Sequence, residues 1–128
     1  MTRVHFVGGL TFNDYLKILQ ISSVHIYSTM PFVLSWSILE AMACECCIVA
    51  SSTAPVLEVI KDKENGLLFD FYNVDQLVKK VEYALDNPKK VKTIRQNARK
   101  TIIDNYAAKD LLPKQIKFLK NLICNKTI

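Results

Sequence analysis

Glycine is scarce in this chain of 128 residues: three in all, two of them adjacent at Gly8 and Gly9. No Gly-x-x-x-x-Gly-Lys run occurs, so a P-loop phosphate cradle is excluded. Glycine and the four prolines form no rich tract, and half the residues are apolar. That composition belongs to a globular chain rather than a disordered one. The longest apolar runs fall far short of the roughly 18 residues a membrane span needs. The amino terminus, M-T-R-V-H-F-V-G-G, lacks the apolar core of a signal peptide, which makes the cytoplasm the expected location.

Metal-ligating residues are also thin. Cysteines stand at 44, 46, 47 and 124, with no second close C-x-x-C pair, and His5 and His25 lie in β-type runs rather than in a ligand pair. Reduced thiols packed as small hydrophobes are expected at Cys46 and Cys47, ahead of an apolar strand. Both histidines are expected in the core.

What is present is an uneven charge. The net +5 combines −4 over residues 1–78 (four Lys/Arg, eight Asp/Glu) with +9 over residues 79–128 (thirteen and four). Core-spaced Leu, Ile and Val between the lysines favour a solvated helical surface over a nucleic-acid or lipid face. No nucleic-acid partner is expected, while peripheral membrane contact stays open.

At this length one domain is expected, residues 1–128, with a helical tail over about 74–125. Four short strands are predicted at Val4–Val7, Val24–Tyr27, Cys47–Ser51 and Leu67–Phe69. Helices are predicted after Thr11 or Asn13, from about Ser37 to Cys44, and briefly from Val56 to Ile60. Asn65-Gly66 reads as a turn. Strands alternating with helices, and nearly unbroken apolar strands, imply a parallel sheet covered on both faces. Beyond Val74, Leu77, Val78, Val81, Ala84 and Leu85 mark one helical face. Val91, Ile94, Ala98, Ile102 and Tyr106 mark the next. Leu112, Ile116, Leu119 and Ile123 mark a last helix expected to pack on its own domain, with self-association or a membrane surface as the other outcomes.

The stretch Pro31–Ala43, P-F-V-L-S-W-S-I-L-E-A-M-A, is a loop feeding a helix. Ser35 and Ser37 are both N-cap residues, and Ser37 with Glu40 fits a capping box. Trp36, Leu39, Met42 and Ala43 follow at helical spacing, with Trp36 expected in the core or as a cover. A helix opening after a strand presents N–H groups and a positive dipole end to a phosphate. In an open α/β sheet a carboxylate beside that crevice holds a ribose diol. Two roles for Glu40 therefore stand side by side: closing the cap, or binding a nucleotide. The loops after Tyr27 and Ser51 would bring Glu40, Ser51, Ser52 and Thr53 to one mouth.

The run S-I-L-E-A-M-A-C, then I-V-A-S, E-V-I and N-G-L-L-F-D, resembles the nucleotide-sugar half of family-4 glycosyltransferases of GT-B fold. The resemblance covers roughly residues 4 to 106. It implies a Rossmann-like C-terminal donor-binding domain, half of a GT-B architecture that lacks its N-terminal acceptor domain. The implied reaction is transfer from a nucleoside diphosphate sugar of UDP or GDP type, with retention and without metal or other cofactor. It puts the ribose-binding glutamate on Glu40, and a turn approaching the phosphates on Ser35, Trp36 and Ser37. Another family glutamate near the cleft falls on Glu58. Two positions depart from the pattern: Phe32 where a glutamate contacts the donor sugar, and Glu45 where a glycine takes a left-handed turn. The upstream Arg/Lys pair that neutralises the leaving diphosphate has no match, since Arg3 and Lys17 alone are basic before Glu40. The chain thus reads as part of a transferase whose partners are a nucleotide sugar and an acceptor-domain protein or a second copy. A non-catalytic interaction partner that keeps the fold is the alternative.

Overall fold

Three apolar runs become parallel strands because the connection between each successive pair is long enough to carry the chain back across the sheet. The computed structural model describes residues 3–30 and 32–124. Pro31 of the Pro31–Ala43 stretch and the ends of the expected domain, residues 1–2 and 125–128, lie outside the described residues. The order is α1 (Phe12–Ile21), β1 (His25–Tyr27), α2 (Trp36–Ala43), β2 (Ile48–Ser51), α3 (Ala54–Leu57), β3 (Leu67–Phe69), α4 (Val74–Asp86), α5 (Pro88–Asn105) and α6 (Ala108–Cys124). The sheet order is β1-β2-β3, with Ile26 opposite Val49 and Ala50 opposite Leu68.

Alternation along β2 divides the core. Ile48 and Ala50 face Leu19 of α1, Ile38, Ala41 and Met42 of α2, and Ala98 of α5. Cys47 and Val49 face the other way, with Leu67 and Phe69 of β3, Ala84 of α4, and Val91 and Ile94 of α5. Helices thus cover both faces of a parallel α/β sheet, and the carboxyl-terminal part is helical, as the sequence implies. Each fully buried Ile, Leu, Met or Val contributes about 1.5–3 kcal/mol relative to exposure. Cys46 and Cys47 are buried free thiols, and Cys46 Sγ donates to the Leu19 carbonyl at 3.0 Å.

Several local expectations are corrected. Val4–Val7 forms no strand and is exposed, Phe6 at 96%. A β-type run without a neighbour has no ladder to join, and β propensity is mostly neighbour packing. His5 is accordingly exposed, while His25 in β1 is half-buried, and that burial lowers its pKa. The predicted Val56–Ile60 helix is one turn, Ala54–Leu57, after which Val59 and Ile60 are buried as loop residues. On α4, Leu77, Val81 and Ala84 turn inward, whereas Val78 and Leu85 are exposed. On α5 the expected face holds: Val91, Ile94 and Ala98 are buried, with Ile102 and Tyr106 packed beside them. The stripe of α6 does not pack on its own domain, since Leu112, Ile116, Leu119 and Ile123 are all exposed. Among the described residues no helix is long and apolar enough to cross a membrane.

Candidate nucleotide-sugar site

The mouth forms where β1 and β2 end. Ser51, the last residue of β2, is buried and ties the two loops together. Its Oγ accepts from the Thr29 N–H at 3.0 Å and donates to the Thr29 carbonyl at 2.9 Å. Beyond it, the Ser52 N–H donates to the Phe69 carbonyl at 2.8 Å, so β3 is held to the same edge. Thr53 follows as the N-cap of α3, and its buried Oγ1 has no hydrogen-bond partner among the described residues.

On the other side, Tyr27 fixes the entry to α2. Its Oη accepts from the Ser35 N–H at 2.9 Å. Ser35 is the N-cap: its Oγ accepts from the Ser37 N–H at 3.3 Å and lies 3.0 Å from Ser37 Oγ. Ser37 is therefore the second helical residue and not a cap. The capping box fails with it, because the third helical residue is Ile38 and Glu40 lies two positions further on. Trp36 is neither core nor buried cover. It stands 82% exposed at the helix start, because Ile38, Ala41 and Met42 supply the inward face and Leu39 flanks it.

Glu40 is half-buried one turn into α2. Its carboxylate makes no ion pair among the described residues. It faces Tyr15 of α1, whose buried Oη has no hydrogen-bond partner among them. Burial, and then the neighbouring Glu40 carboxylate, hold the Tyr15 phenol above its usual pKa, although the two groups stop short of hydrogen-bond geometry. A carboxylate with unspent acceptor capacity, at the entry of a helix, suits a ligand hydroxyl.

The rim is apolar and open: Met30, Phe32, Val33 and Trp36 are all exposed, Phe32 at 79%. Lys17 is spent on Asp14 at 3.0 Å, and Arg95 and Arg99 of α5 are bonded at the opposite end of α2. Glu58 is exposed at the end of α3. The sequence brought Ser35, Trp36, Ser37 and Glu40 into one segment. It did not reveal Tyr15, Tyr27 or the Ser51–Thr29 tie, since a tyrosine in a helical pattern carries no mark of what its hydroxyl meets.

A family model described as glycosyl transferases group 1 matches residues 2–101. An uncharacterized glycosyltransferase of Methanocaldococcus jannaschii is 27% identical over 121 residues, 94% of this chain and 31% of that protein. The chain thus spans less than a third of that relative's length. Among solved structures, sucrose-phosphate synthase of Thermosynechococcus elongatus superposes with a TM-score of 0.89 at 21% identity, over 97% of this chain and 31% of the other. Anabaena HepE in complex with UDP-glucose superposes with a TM-score of 0.77 at 20% identity, over 82% and 29%. These structural likenesses establish a shared fold.

Proposed function

We propose that this chain, which belongs to the glycosyl transferases group 1 family, is the donor-binding unit of a family-4, retaining transferase acting in the cytoplasm. It binds a nucleoside diphosphate sugar of UDP or GDP type at the mouth between β1, β2 and α2. Glu40 accepts from the ribose hydroxyls through charge-assisted bonds. The Ser35–Ser37 turn approaches the diphosphate from the positive end of α2. The observation that carries this reading is the release of Glu40 from the cap: its carboxylate is left without a structural bond where the fold binds ligands. HepE, solved with UDP-glucose on the same fold, supports a donor of that class.

Transfer itself would rest on positioning and on stabilising the leaving diphosphate. The chain spans under a third of its relative, and the groups for acceptor binding and diphosphate neutralisation are proposed to come from an acceptor-domain protein. The second reading, a non-catalytic partner that keeps the fold, is favoured by Phe32, an exposed ring that offers a sugar hydroxyl no acceptor.

Calorimetric titration with UDP, GDP and ADP tests the donor site. One diphosphate is expected to bind, with Glu40→Gln and Glu40→Ala each weakening it and leaving the melting temperature unchanged. Absence of binding by all three would remove the donor reading and leave the non-catalytic one.

A further inference from the structure

The nucleotide-sugar reading leaves the +9 charge of residues 79–128 unused. Part of that charge converges on a cavity of about 630 Å³ between the segment ahead of β3 and helices α4 and α5. Its floor is apolar, made by Leu67 of β3 and Ile94 of α5, with the Tyr83 ring alongside. Lys63, Lys79, Lys80 and Lys90 stand around it. Lys80 is committed to Asp62 at 3.3 Å. Lys63, Lys79 and Lys90 have no ion pair among the described residues. The single acidic lining residue, Glu64, is 3.5 Å from Lys61.

The backbone of Lys63 is fixed at the edge of the cavity. Its N–H donates to the Gly66 carbonyl at 2.7 Å, and its φ of 64° is a left-handed conformation that ordinary side chains avoid. No lining residue comes from the loops after β1 or β2, so the cavity is separate from the donor mouth.

We propose that this cavity is a second binding site, for an amphiphilic organic phosphate. An alkyl or acyl body would cover Leu67, Ile94 and Tyr83, and the phosphate would sit among Lys63, Lys79 and Lys90. The volume falls in the range of small-molecule sites, which combine apolar walls with a few polar groups. Three uncompensated ammonium groups match the near-dianionic charge of a phosphate monoester better than that of a carboxylate. A solvated lysine surface would need neither the apolar floor nor the shortage of acidic lining residues.

The test is calorimetric titration of the full chain with octyl phosphate below its micelle concentration, beside inorganic phosphate and octanol. One variant carries Lys63→Gln, Lys79→Gln and Lys90→Gln. A second, Thr93→Trp, fills the cavity from an exposed lining position. Octyl phosphate is expected to bind one to one, and each variant to weaken it by about tenfold or more, the loss of a charge-assisted contact or of the apolar seat. Both comparators should bind more weakly than octyl phosphate by a similar factor, and nucleotide binding should be unchanged in both variants. Absent binding, binding that ignores both variants, or binding matched by inorganic phosphate or octanol would overturn the proposal. If the lysine variant loses its circular dichroism spectrum, Thr93→Trp decides by the same criterion.

Discussion

Arg95 Nε lies 2.6 Å from the carbonyl oxygen of Glu45, across the gap between α5 and the end of α2. Glu45 has a φ of 59°, in the left-handed region that costs a non-glycine residue about 1–2 kcal/mol. Arg99 adds a second brace, donating from its guanidinium to the Ala43 carbonyl at 2.7 Å and standing 3.7 Å from the Glu45 carboxylate. The departure from glycine is thus absorbed by two arginines that cap the helix's negative end.

Two substitutions separate strain from brace. Glu45→Gly relieves the left-handed penalty and gives up a half-exposed ion pair worth about 0–1 kcal/mol. It is expected to leave stability unchanged or raise it by up to about 1 kcal/mol. Arg95→Ala keeps the strain and strips the carbonyl, so a loss of about 1.5–3 kcal/mol is expected. Urea unfolding midpoints at constant m-value check both.

The position of the cap gives a second prediction. Ser35→Ala should cost about 0.5–2 kcal/mol, the ordinary loss of an N-cap. Ser37→Ala loses only the exposed contact with Ser35 Oγ, and Glu40→Ala removes a carboxylate with no ion pair, so each should stay within about 0.5 kcal/mol. If Ser37→Ala proves the costlier serine change in thermal melts, the helix starts where the capping box would have put it.

Both outcomes bear on what the sequence could convey. Ser35 and Ser37 are equally good caps by residue type. The choice is made by the Tyr27 hydroxyl, which holds the Ser35 N–H at 2.9 Å from another element. The alternation of β2 and β3 with helices was legible because buried parallel strands are apolar throughout. So was the inward face of α5, where period and burial coincide. Val4–Val7 has the same local character as β1 but no neighbouring strand, and a neighbour is not written in a local run. For α6 the stripe was legible and its exposure was not, since periodicity names a face without naming what covers it. Of the candidate site, the segment was legible and the geometry was not.

Asn65 illustrates a further limit and a third prediction. Beside Gly66 it reads as a turn residue, yet it is buried and makes three hydrogen bonds. Its Oδ1 accepts from the Lys61 N–H at 2.8 Å, and its Nδ2 donates to the Val59 carbonyl at 3.0 Å and to Thr101 Oγ1 at 3.1 Å. Asn65→Ala is expected to cost about 2–4 kcal/mol, from three net bonds of about 1 kcal/mol each. Denaturant titration measures it, with Thr101→Val expected to lose the smaller share.

Alkali supplies a fourth prediction. Burial pushes the Cys46 thiol from an ordinary 9.0 up to about 11. Between those values the unfolded chain ionises its thiol while the folded chain keeps the proton, so folding loses stability as pH rises through that window and is unaffected below it. Melting temperatures under reducing conditions should fall between pH of about 9 and 11. The fall should be shallower in Cys46→Ala, once its lower starting stability is subtracted. An identical slope in that variant would place the loss on other groups, such as Tyr15, which burial and then Glu40 also raise.

Whether Glu40 holds a ribose diol is read out by a double-mutant cycle between protein and ligand. The nucleoside diphosphate that binds best is titrated against its 2′,3′-dideoxy analogue, on the native chain and on Glu40→Gln and Glu40→Ala. The native chain is expected to prefer the diol by about tenfold or more, the worth of a charge-assisted bond, and both variants to lose the preference. A preference that survives Glu40→Ala, or none in the native chain, would rule out a contact between Glu40 and the ribose.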